Sequence, residues 1–470
     1  MSAAKCAALA LLVVAAWGPG ARSQDRPAAT AKEPPKGLSL EDKGYWILLN
    51  KPLGGTDLTE AEYDDLWKVW PEPLRSRAGK ATPRERRAMA LVRYGFQDSP
   101  DRPAGSVPQQ FTPDGRGELA FNCLACHGGK VAGKVIPGLG NSHLNAATFG
   151  EDVAQLFLAT NRKIPEFPKL MPAPAPAPVR GVNNAFIDAL AFLIVRDRDM
   201  NVTPDKAHFP APSGEEMNMP VIAPAYWHAR RKKYFYSDGF IEKSHRDIMQ
   251  FSFSPTIPGE TVRAWEEDFK AVYAWINSVR APKYPHEIDA PLAGRGREVF
   301  DTHCARCHGK YGTESSYPER LVDVEDVSTD ALRANLSVAF KKHLGQSWLG
   351  EYGKTKLRTE QKAYVAPPLD GIWATAPYLH NGSVPTLWHM LNPDKRPAVW
   401  LRTEDGYDKA RVGLEVEEFE RVPASAKTEE ERRLYYQTKL RGLGSGGHRY
   451  PAKGLSEDET RALLEYLKTL

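Results

Sequence analysis

The sequence has few cysteines and almost no net charge. Five of its 470 residues are cysteine, and the formal net charge is +4 at neutral pH. A charge balance so close to zero offers no strongly basic surface, so we expect no nucleic-acid partner. The positions of the cysteines in the sequence indicate what they do.

Long apolar runs are missing after the N-terminus, so we expect no stable membrane insertion. The one early run, at 7–17, follows Lys5 and ends where glycine and proline occupy 18–20. Small residues at 21–23 then offer a cleavage site. This order predicts a signal peptide over residues 1–23 and a periplasmic or secreted protein. The alternative is that this segment is retained as a membrane anchor. The apolar run is short for a helix that spans a membrane, which argues against this alternative.

The remaining cysteines form two copies of one motif, Cys-x-x-Cys-His. Two thiols three residues apart can form thioether bonds to both vinyl groups of one porphyrin, and the adjoining histidine then binds the iron. A zinc site would need further soft ligands, and a thioredoxin-type site would need one such pair beside a βαβ unit. We therefore predict two covalent c-type haems with histidine as proximal ligand, and no spare thiol for a disulfide once Cys6 leaves with the signal peptide. The two motifs are Cys123, Cys126, His127 and Cys304, Cys307, His308.

The pattern along the chain predicts three units after the signal peptide. Residues 24–105 are expected to form a proline-rich leader and a helical arm, residues 106–285 an N-terminal catalytic haem domain, and residues 286–470 a C-terminal electron-transfer haem domain. Strand signals are sparse, so the predicted fold class is mainly α, with tandem cytochrome c-type haem domains, long loops and an N-terminal helical arm. The expected helix caps are Ser39, Thr59 with Glu62, Thr82 with Glu85, Thr261, and Ser456 with Glu459.

The stretch TAPYLHNGSVPTL at 375–387 resembles a signature of the bacterial di-haem cytochrome c peroxidase superfamily. With the two haem motifs, this resemblance covers most of residues 110–470. Within the superfamily the chain looks most like the rubber oxygenase branch, because of Arg396-Pro397 and the run GGHRY at 446–450. The chain is shorter than known rubber oxygenases.

The resemblance implies ligands for the C-terminal haem. His448 matches the histidine that is the distal ligand of this haem in the rubber oxygenase branch, which would give an iron suited to electron transfer. A solvent-exposed loop histidine is the alternative. His380, His389 and Met390 are rival ligands, and Met390 comes earlier than the peroxidase pattern would place it.

The resemblance also implies a calcium ion between the domains. Thr375 and Pro377 match positions whose backbone carbonyls bind calcium in the peroxidases, and Asn183 or Asn184 resembles the asparagine that completes the site. Carbonyl and amide oxygens suit this hard cation. A tight turn without metal is the alternative.

The run PAYWH around Trp227 is similar to the aromatic segment that, in the family, places a tryptophan between the haems. By this resemblance Trp227 would carry electrons, while Tyr226 and Phe240 would wall the distal pocket of the N-terminal haem and limit water. Core packing is the alternative for each aromatic. His228 and His245 are candidate ligands that activity would have to displace.

Three function classes follow from these expectations. The one we favour is a rubber oxygenase-like oxidoreductase that activates oxygen or peroxide at an open N-terminal haem and acts on a hydrophobic organic substrate. A cytochrome c peroxidase would need a distal acid or base, for which Glu215 and Glu216 are conceivable. A non-enzymatic electron carrier would have two six-coordinate irons. The expected cofactors are two covalent haems and a calcium ion, and a redox protein is the expected alternative partner as electron donor.

Overall fold

The computed structural model describes residues 33–162, 168–171, 176–211, 218–255 and 257–470. The predicted signal peptide lies outside the described residues, as do Glu215 and Glu216. Among the described residues, none of the helices combines the length and apolar character that a membrane crossing requires.

Short helices make up most of the regular structure, and their starts follow local sequence. Ser39 accepts a hydrogen bond from the Asp42 amide, and the capping boxes predicted at Thr59, Thr82 and Ser456 are all formed. The helices are α1 (Leu40–Asn50), α2 (Glu60–Asp65), α3 (Leu74–Lys80), α4 (Pro83–Tyr94), α5 (Leu124–His127), α6 (Ala146–Ala159), α7 (Ala185–Leu193), α8 (Gly259–Ala264), α9 (Glu266–Ser278), α10 (Ala290–His303), α11 (Ala305–His308), α12 (Val324–Val327), α13 (Val338–Gln346), α14 (Leu387–Leu391), α15 (Glu429–Arg433) and α16 (Glu457–Leu467).

The cap predicted at Thr261 is wrong. Helix α8 begins directly after Pro258, so Thr261 lies inside it. The helix expected from this point is also divided, because α9 starts at Glu266 after a break at Trp265.

The strands form small antiparallel sheets. One three-stranded sheet has the order β1-β3-β2 and another has the order β11-β10-β12, and the remaining strands pair in twos. The strands are β1 (Thr56–Thr59), β2 (Phe111–Pro113), β3 (Glu118–Phe121), β4 (Gly128–Val131), β5 (Lys134–Pro137), β6 (Tyr234–Phe235), β7 (Ile241–Glu242), β8 (Leu321–Asp323), β9 (Ala363–Val365), β10 (Val399–Asp408), β11 (Gly413–Phe419) and β12 (Tyr435–Gln437).

The prediction of a mainly α fold is wrong, because the protein is a mixed α/β structure with 39% helix and 14% strand. Most of its strands have two to four residues, which is too short to show the period-2 alternation by which strands are recognised. The long hairpin β10–β11 was missed for another reason. Its strands carry exposed acidic residues such as Glu404 and Glu417, so they do not alternate cleanly with apolar ones.

Two close helix pairs frame the region around the haem motifs. Helix α1 packs against α9, and α10 packs against α16. A Cβ atom on Gly44 would lie 2.0 Å from the Ala271 carbonyl oxygen, and one on Gly296 would lie 1.9 Å from the Ala462 carbonyl oxygen. Each pair can therefore approach this closely only because glycine stands at the contact.

The buried apolar side chains of the described residues form three clusters. The first joins α1, α7, α9 and α13, the second joins α10, α16 and the β10–β11 hairpin, and the third joins the N-terminal arm to α6. Both haem motifs lie beside these clusters, since Cys123 packs against the first and Cys304 against the second.

Candidate functional site

Both Cys-x-x-Cys-His motifs line one cavity of about 770 Å³. The first motif follows β3 and occupies the short helix α5, and the second follows α10 and occupies α11. The size of the cavity lies in the range of cofactor and small-molecule sites. Its lining includes all the motif residues, which are Cys123, Cys126, His127, Cys304, Cys307 and His308.

The two motif histidines have the same hydrogen-bond arrangement. His127 Nδ1 lies 2.9 Å from the Pro224 carbonyl oxygen, and His308 Nδ1 lies 2.8 Å from the Pro367 carbonyl oxygen. Because a carbonyl only accepts, each Nδ1 carries the proton and each Nε2 keeps a free lone pair, as in metal-binding histidines. Burial lowers the pKa of His127 to about 4 and also lowers that of His308, so both rings are neutral at pH 7.

The motif cysteines form no disulfides, and burial raises the pKa of three of them. Cys123, Cys126 and Cys304 are free in the structure, and burial raises the thiol pKa to about 11, 12 and 11 respectively. Groups of this kind are poor thiolate nucleophiles. In the described part of the chain, no three or more His, Cys, Asp or Glu side chains come together to hold a metal ion, so the zinc alternative lacks its ligands there.

His448 faces His308 across the cavity. The two ring centroids are 6.1 Å apart. Metal–imidazole bonds of about 2.0–2.1 Å would place two rings bound to opposite sides of one metal with their centroids roughly 6–6.5 Å apart. Burial, together with the neighbouring His308 and Arg396, lowers the pKa of His448 to about 3, so this ring is also neutral. The pair therefore fits a haem iron with two histidine ligands.

The loop that carries His448 is held in a strained conformation. His448 has φ of 49° and Gly447 has φ of 79°, in the left-handed region. The His448 amide donates to the Val327 carbonyl oxygen at 2.7 Å, and Arg396 Nη1 donates to the Gly447 carbonyl oxygen at 2.8 Å. Backbone strain of this kind persists where surrounding contacts over-determine it, as at ligand sites.

The rival ligands of the C-terminal motif differ in position. His380 lines the cavity, but it stacks on Tyr364 at 4.4 Å and hydrogen-bonds to the Tyr364 hydroxyl. His389 is fully buried, and its Nδ1 hydrogen-bonds to the Thr386 hydroxyl at 2.8 Å. Met390 lines the cavity.

Tyr226 lies beside the proximal histidine of the first motif. Its ring stacks on His127 with centroids 4.0 Å apart and an interplanar angle of 16°, and its hydroxyl hydrogen-bonds to the Cys123 sulfur. The contact places Tyr226 next to the predicted proximal histidine, on the same side of the first haem site as His127.

Trp227 connects the segments next to the two motif histidines. It is 1% exposed, and its Nε1–H donates to the Asp370 carbonyl oxygen at 2.7 Å. Pro367, which binds His308, lies three residues before Asp370, and Pro224, which binds His127, lies three residues before Trp227. Trp227 thus lies on a short route of contacts between the two motifs.

Phe240 supports the cavity wall from behind. It is fully buried, and Tyr236 stacks on it with centroids 5.2 Å apart. Tyr236 and Phe186 line the cavity and meet edge to face at 4.5 Å. Neither Tyr236 nor Phe186 was predicted from the sequence.

The two candidate ligands for the first iron have other partners. His228 lines the cavity, but its Nε2 donates to the Asp370 carbonyl oxygen at 2.9 Å. His245 Nε2 lies 3.1 Å from Glu266.

The residues predicted to bind calcium also line the cavity, namely Asn183, Thr375 and Pro377. The side-chain oxygen of Asn183 accepts a hydrogen bond from the Ala185 amide at 3.1 Å, and that of Asn184 accepts one from Met219. The calcium site stays a prediction.

Asp188 and Lys232 are cavity residues that sequence reasoning missed. Burial raises the carboxyl pKa of Asp188 to about 7 and lowers the ammonium pKa of Lys232 to about 8. Lys232 Nζ donates to the Tyr236 carbonyl oxygen at 2.7 Å. Asp188 had a recognisable signal, because it is the one charged residue in the apolar run of α7, AFIDALAFL.

Comparison with known proteins gives a relationship for the C-terminal region. Residues 363–401 match a family described as RoxA-like, cytochrome c-like. The uncharacterized protein y4iM of Sinorhizobium fredii is 28% identical over 289 residues, which are 52% of this chain and 63% of that protein. The uncharacterized protein y4iJ of the same organism is 31% identical over 263 residues, 42% of each chain. The matched regions thus span less than two thirds of the length of these relatives.

The family match falls on the wall of the second haem motif. Residues 363–401 include Pro367, which binds His308, and cavity-lining residues from Tyr364 to Leu391. The resemblance to di-haem peroxidases stays a prediction. The match relates this chain to RoxA-like cytochrome c domains and, through them, to haem-binding redox proteins.

Proposed function

We propose that this chain is an exported di-haem c-type cytochrome whose C-terminal haem transfers electrons and whose N-terminal haem reacts with oxygen or peroxide. The asymmetry of the shared cavity carries the proposal. His308 is faced by His448, whereas the aromatic neighbour of His127 is Tyr226, on its own side. His228, the candidate ligand for the first iron, instead hydrogen-bonds through Nε2 to the Asp370 carbonyl oxygen.

The chain's own residues fix the position of each haem. A bound haem supplies a redox-active iron, and an iron with an open coordination position can also bind a small oxidant. The Pro224 and Pro367 carbonyls hold His127 and His308 in the tautomer that offers Nε2. His448 would serve with His308 as a second histidine ligand of the C-terminal iron, and we assign Trp227 to electron transfer between the two sites. A calcium ion held by Thr375, Pro377 and Asn183 belongs to the same proposal, as a brace of the wall.

The wall near the first motif suits an apolar substrate. Tyr236 and Phe186 present their rings to the cavity, and Phe240 backs them. An aromatic wall limits the access of water and buries a hydrophobic organic molecule. This supports a rubber oxygenase-like activity, in which oxygen is added to such a molecule.

Peroxide reduction is the second candidate function, and Asp188 favours it. The reduction of hydrogen peroxide to two waters consumes two protons, and an acid with pKa near the working pH is an efficient donor. Asp188 lines the cavity, and burial raises its pKa to about 7.

The spectra of the isolated protein test the proposal. We expect a mass that corresponds to two covalent haems, one low-spin and one high-spin iron by optical and EPR spectroscopy, and reaction with oxygen or peroxide in stopped-flow mixing. If both irons are low-spin and bind neither ligand in any redox state, the proposal fails and the electron-carrier function replaces it.

A further inference from the structure

A line of aromatic rings leads from the first haem motif to the surface. Tyr226 stacks on His127 with centroids 4.0 Å apart. Trp275 meets Tyr226 edge to face at 5.7 Å, and Tyr45 stacks on Trp275 at 5.0 Å with an interplanar angle of 23°. Tyrosine and tryptophan are the aromatic side chains that lose an electron most readily. The rings therefore form a continuous series of oxidisable groups.

At the surface end of this series, a carboxylate lies next to Tyr45 and can accept its proton. The Tyr45 hydroxyl donates to Asp101 Oδ2 at 2.6 Å, and Asp101 is exposed to solvent. Burial and Asp101 raise the pKa of Tyr45, so its phenol is protonated at neutral pH. A phenol becomes a strong acid when it loses an electron, and a hydrogen-bonded carboxylate is placed to take the proton.

We propose that Tyr226, Trp275 and Tyr45 form a relay that carries oxidising equivalents from the N-terminal haem site to the surface, where Tyr45 is redox-active. The relay rests on the proposed function, with hydrogen peroxide as the oxidant. Tyr45 loses one electron and one proton. The proton passes to the Asp101 carboxylate, and the electron passes through Trp275 and Tyr226 towards His127.

The electron count closes with peroxide. Reduction of one hydrogen peroxide to two waters takes two protons and two electrons. The relay supplies one electron, and the C-terminal haem in its reduced state supplies the other and is reduced again by a redox-protein donor. Both protons come from solvent. A soluble one-electron reductant such as a phenol then returns an electron to Tyr45, and Asp101 returns the proton. The surface at Tyr45 thus becomes a second oxidation site, for donors that do not enter the cavity.

A larger aromatic group in the arm shows what a purely structural cluster looks like. Trp70 Nε1–H donates to the Tyr94 hydroxyl, which donates to Asp152, each at 2.7 Å. All three residues are buried, and Arg93 pairs with the Asp152 carboxylate. That group has no exposed end, whereas the series from His127 ends at the exposed carboxylate of Asp101.

Spin-trap labelling of the full haem-loaded protein tests the relay. The C-terminal haem is first reduced with one electron equivalent, one equivalent of hydrogen peroxide is then added without further reductant, and trapped radicals are located by peptide mass spectrometry. We expect the label on Tyr45 in the wild type, its loss in Tyr45→Phe and Trp275→Phe, and a weaker label in Asp101→Asn. Tyr45→Phe keeps the ring stacked on Trp275, so its folding is preserved.

Tyr352 provides a matched control. Its hydroxyl donates to Asp199 at 2.6 Å, and the side chain is 42% exposed, but its ring packs on Arg198 rather than on another aromatic ring. We expect no label on Tyr352 and no change of the Tyr45 label in Tyr352→Phe. Equal labelling of Tyr352 would show that peroxide reaches surface tyrosines directly, which overturns the relay.

The outcomes separate the relay from the function on which it rests. If the wild type consumes peroxide and Tyr45 carries no label, the relay is wrong and the proposed function stands. If the wild type reacts with neither oxygen nor peroxide, the proposed function fails and the relay fails with it. A protein that reacts with oxygen but not with peroxide overturns the relay alone.

Discussion

At the scale of single residues, His448 is the side chain that distinguishes the two ends of the cavity. Replacing it with glycine removes the ring that faces His308 at 6.1 Å. We expect His448→Gly to convert the low-spin haem to high-spin and to slow electron delivery to the other haem, as measured by EPR and stopped-flow absorbance. His389→Gln is the control, because His389 is not among the residues that line the cavity and its Nε2 lies 3.4 Å from Glu418. A low-spin signal that survives in His448→Gly would show that His448 is not the ligand, and His380, His389 and Met390 would be tested next.

Asp188 allows a test that separates the two candidate reactions. We expect Asp188→Asn to slow peroxide reduction about 100-fold or more, the usual contribution of a positioned acid. Reaction with oxygen should change little, because addition of both oxygen atoms to a substrate consumes no protons. An equal loss in both reactions would show that Asp188 is only structural.

The raised pKa of Asp188 also predicts how stability depends on pH. The folded pKa of about 7 lies above the ordinary value of 3.8, so the folded state binds the proton more tightly. The contribution is present below about pH 4 and is lost as pH rises through 7. Thermal melts should therefore show the wild type losing stability relative to Asp188→Asn between pH 4 and 7, and a constant difference would contradict this.

We expect Trp227 to affect the rate of electron transfer between the haems and not the ligands of either iron. Trp227→Phe should leave both haem spectra unchanged and slow electron transfer between the haems, as followed by flash reduction. Trp373→Phe is the matched control, since Trp373 is equally buried and donates to the Pro282 carbonyl at 3.1 Å. The same slowing in both variants would assign Trp227 to packing alone.

At the scale of elements, the contact of α10 with α16 depends on one missing side chain. A Cβ on Gly296 would lie 1.9 Å from the Ala462 carbonyl oxygen, whereas a Cβ on Gly294 of the same helix would meet nothing within 4 Å. We expect Gly296→Ala to lower the free energy of unfolding by at least about 1–3 kcal/mol, the usual cost of overpacking. Gly294→Ala should be neutral or stabilising by up to about 1 kcal/mol. Urea unfolding of both variants decides between them.

Helix starts with a capping box could be predicted from sequence, whereas the start predicted at Thr261 was wrong and the strands could not be predicted. The capping boxes at Thr59, Thr82 and Ser456 depend on residues three positions apart, so local sequence contains the whole signal. The strands depend on partners that are distant in the chain, as when β1 pairs with β3 about sixty residues later. A two- to four-residue strand carries too little pattern to be recognised before its partner is known.

At the scale of the whole molecule, some residues of the cavity could be predicted from the sequence and others could not. The motif residues were found from their spacing, because attachment chemistry fixes it. The residues of the cavity wall could not be found from the sequence, because Phe186, Tyr236 and Lys232 come together only in the tertiary structure. The partners of His127 and His308 were also hidden, because they are backbone carbonyls of Pro224 and Pro367, which any residue could supply.

The position of the motif cysteines in the cavity also bears on when a haem can be attached. The motif thiols line the cavity, and burial raises the thiol pKa of Cys123, Cys126 and Cys304. A porphyrin is a large rigid disc, and both thiols of a motif have to reach its vinyl groups. We therefore expect each haem to be attached before or while the fold closes around the cavity.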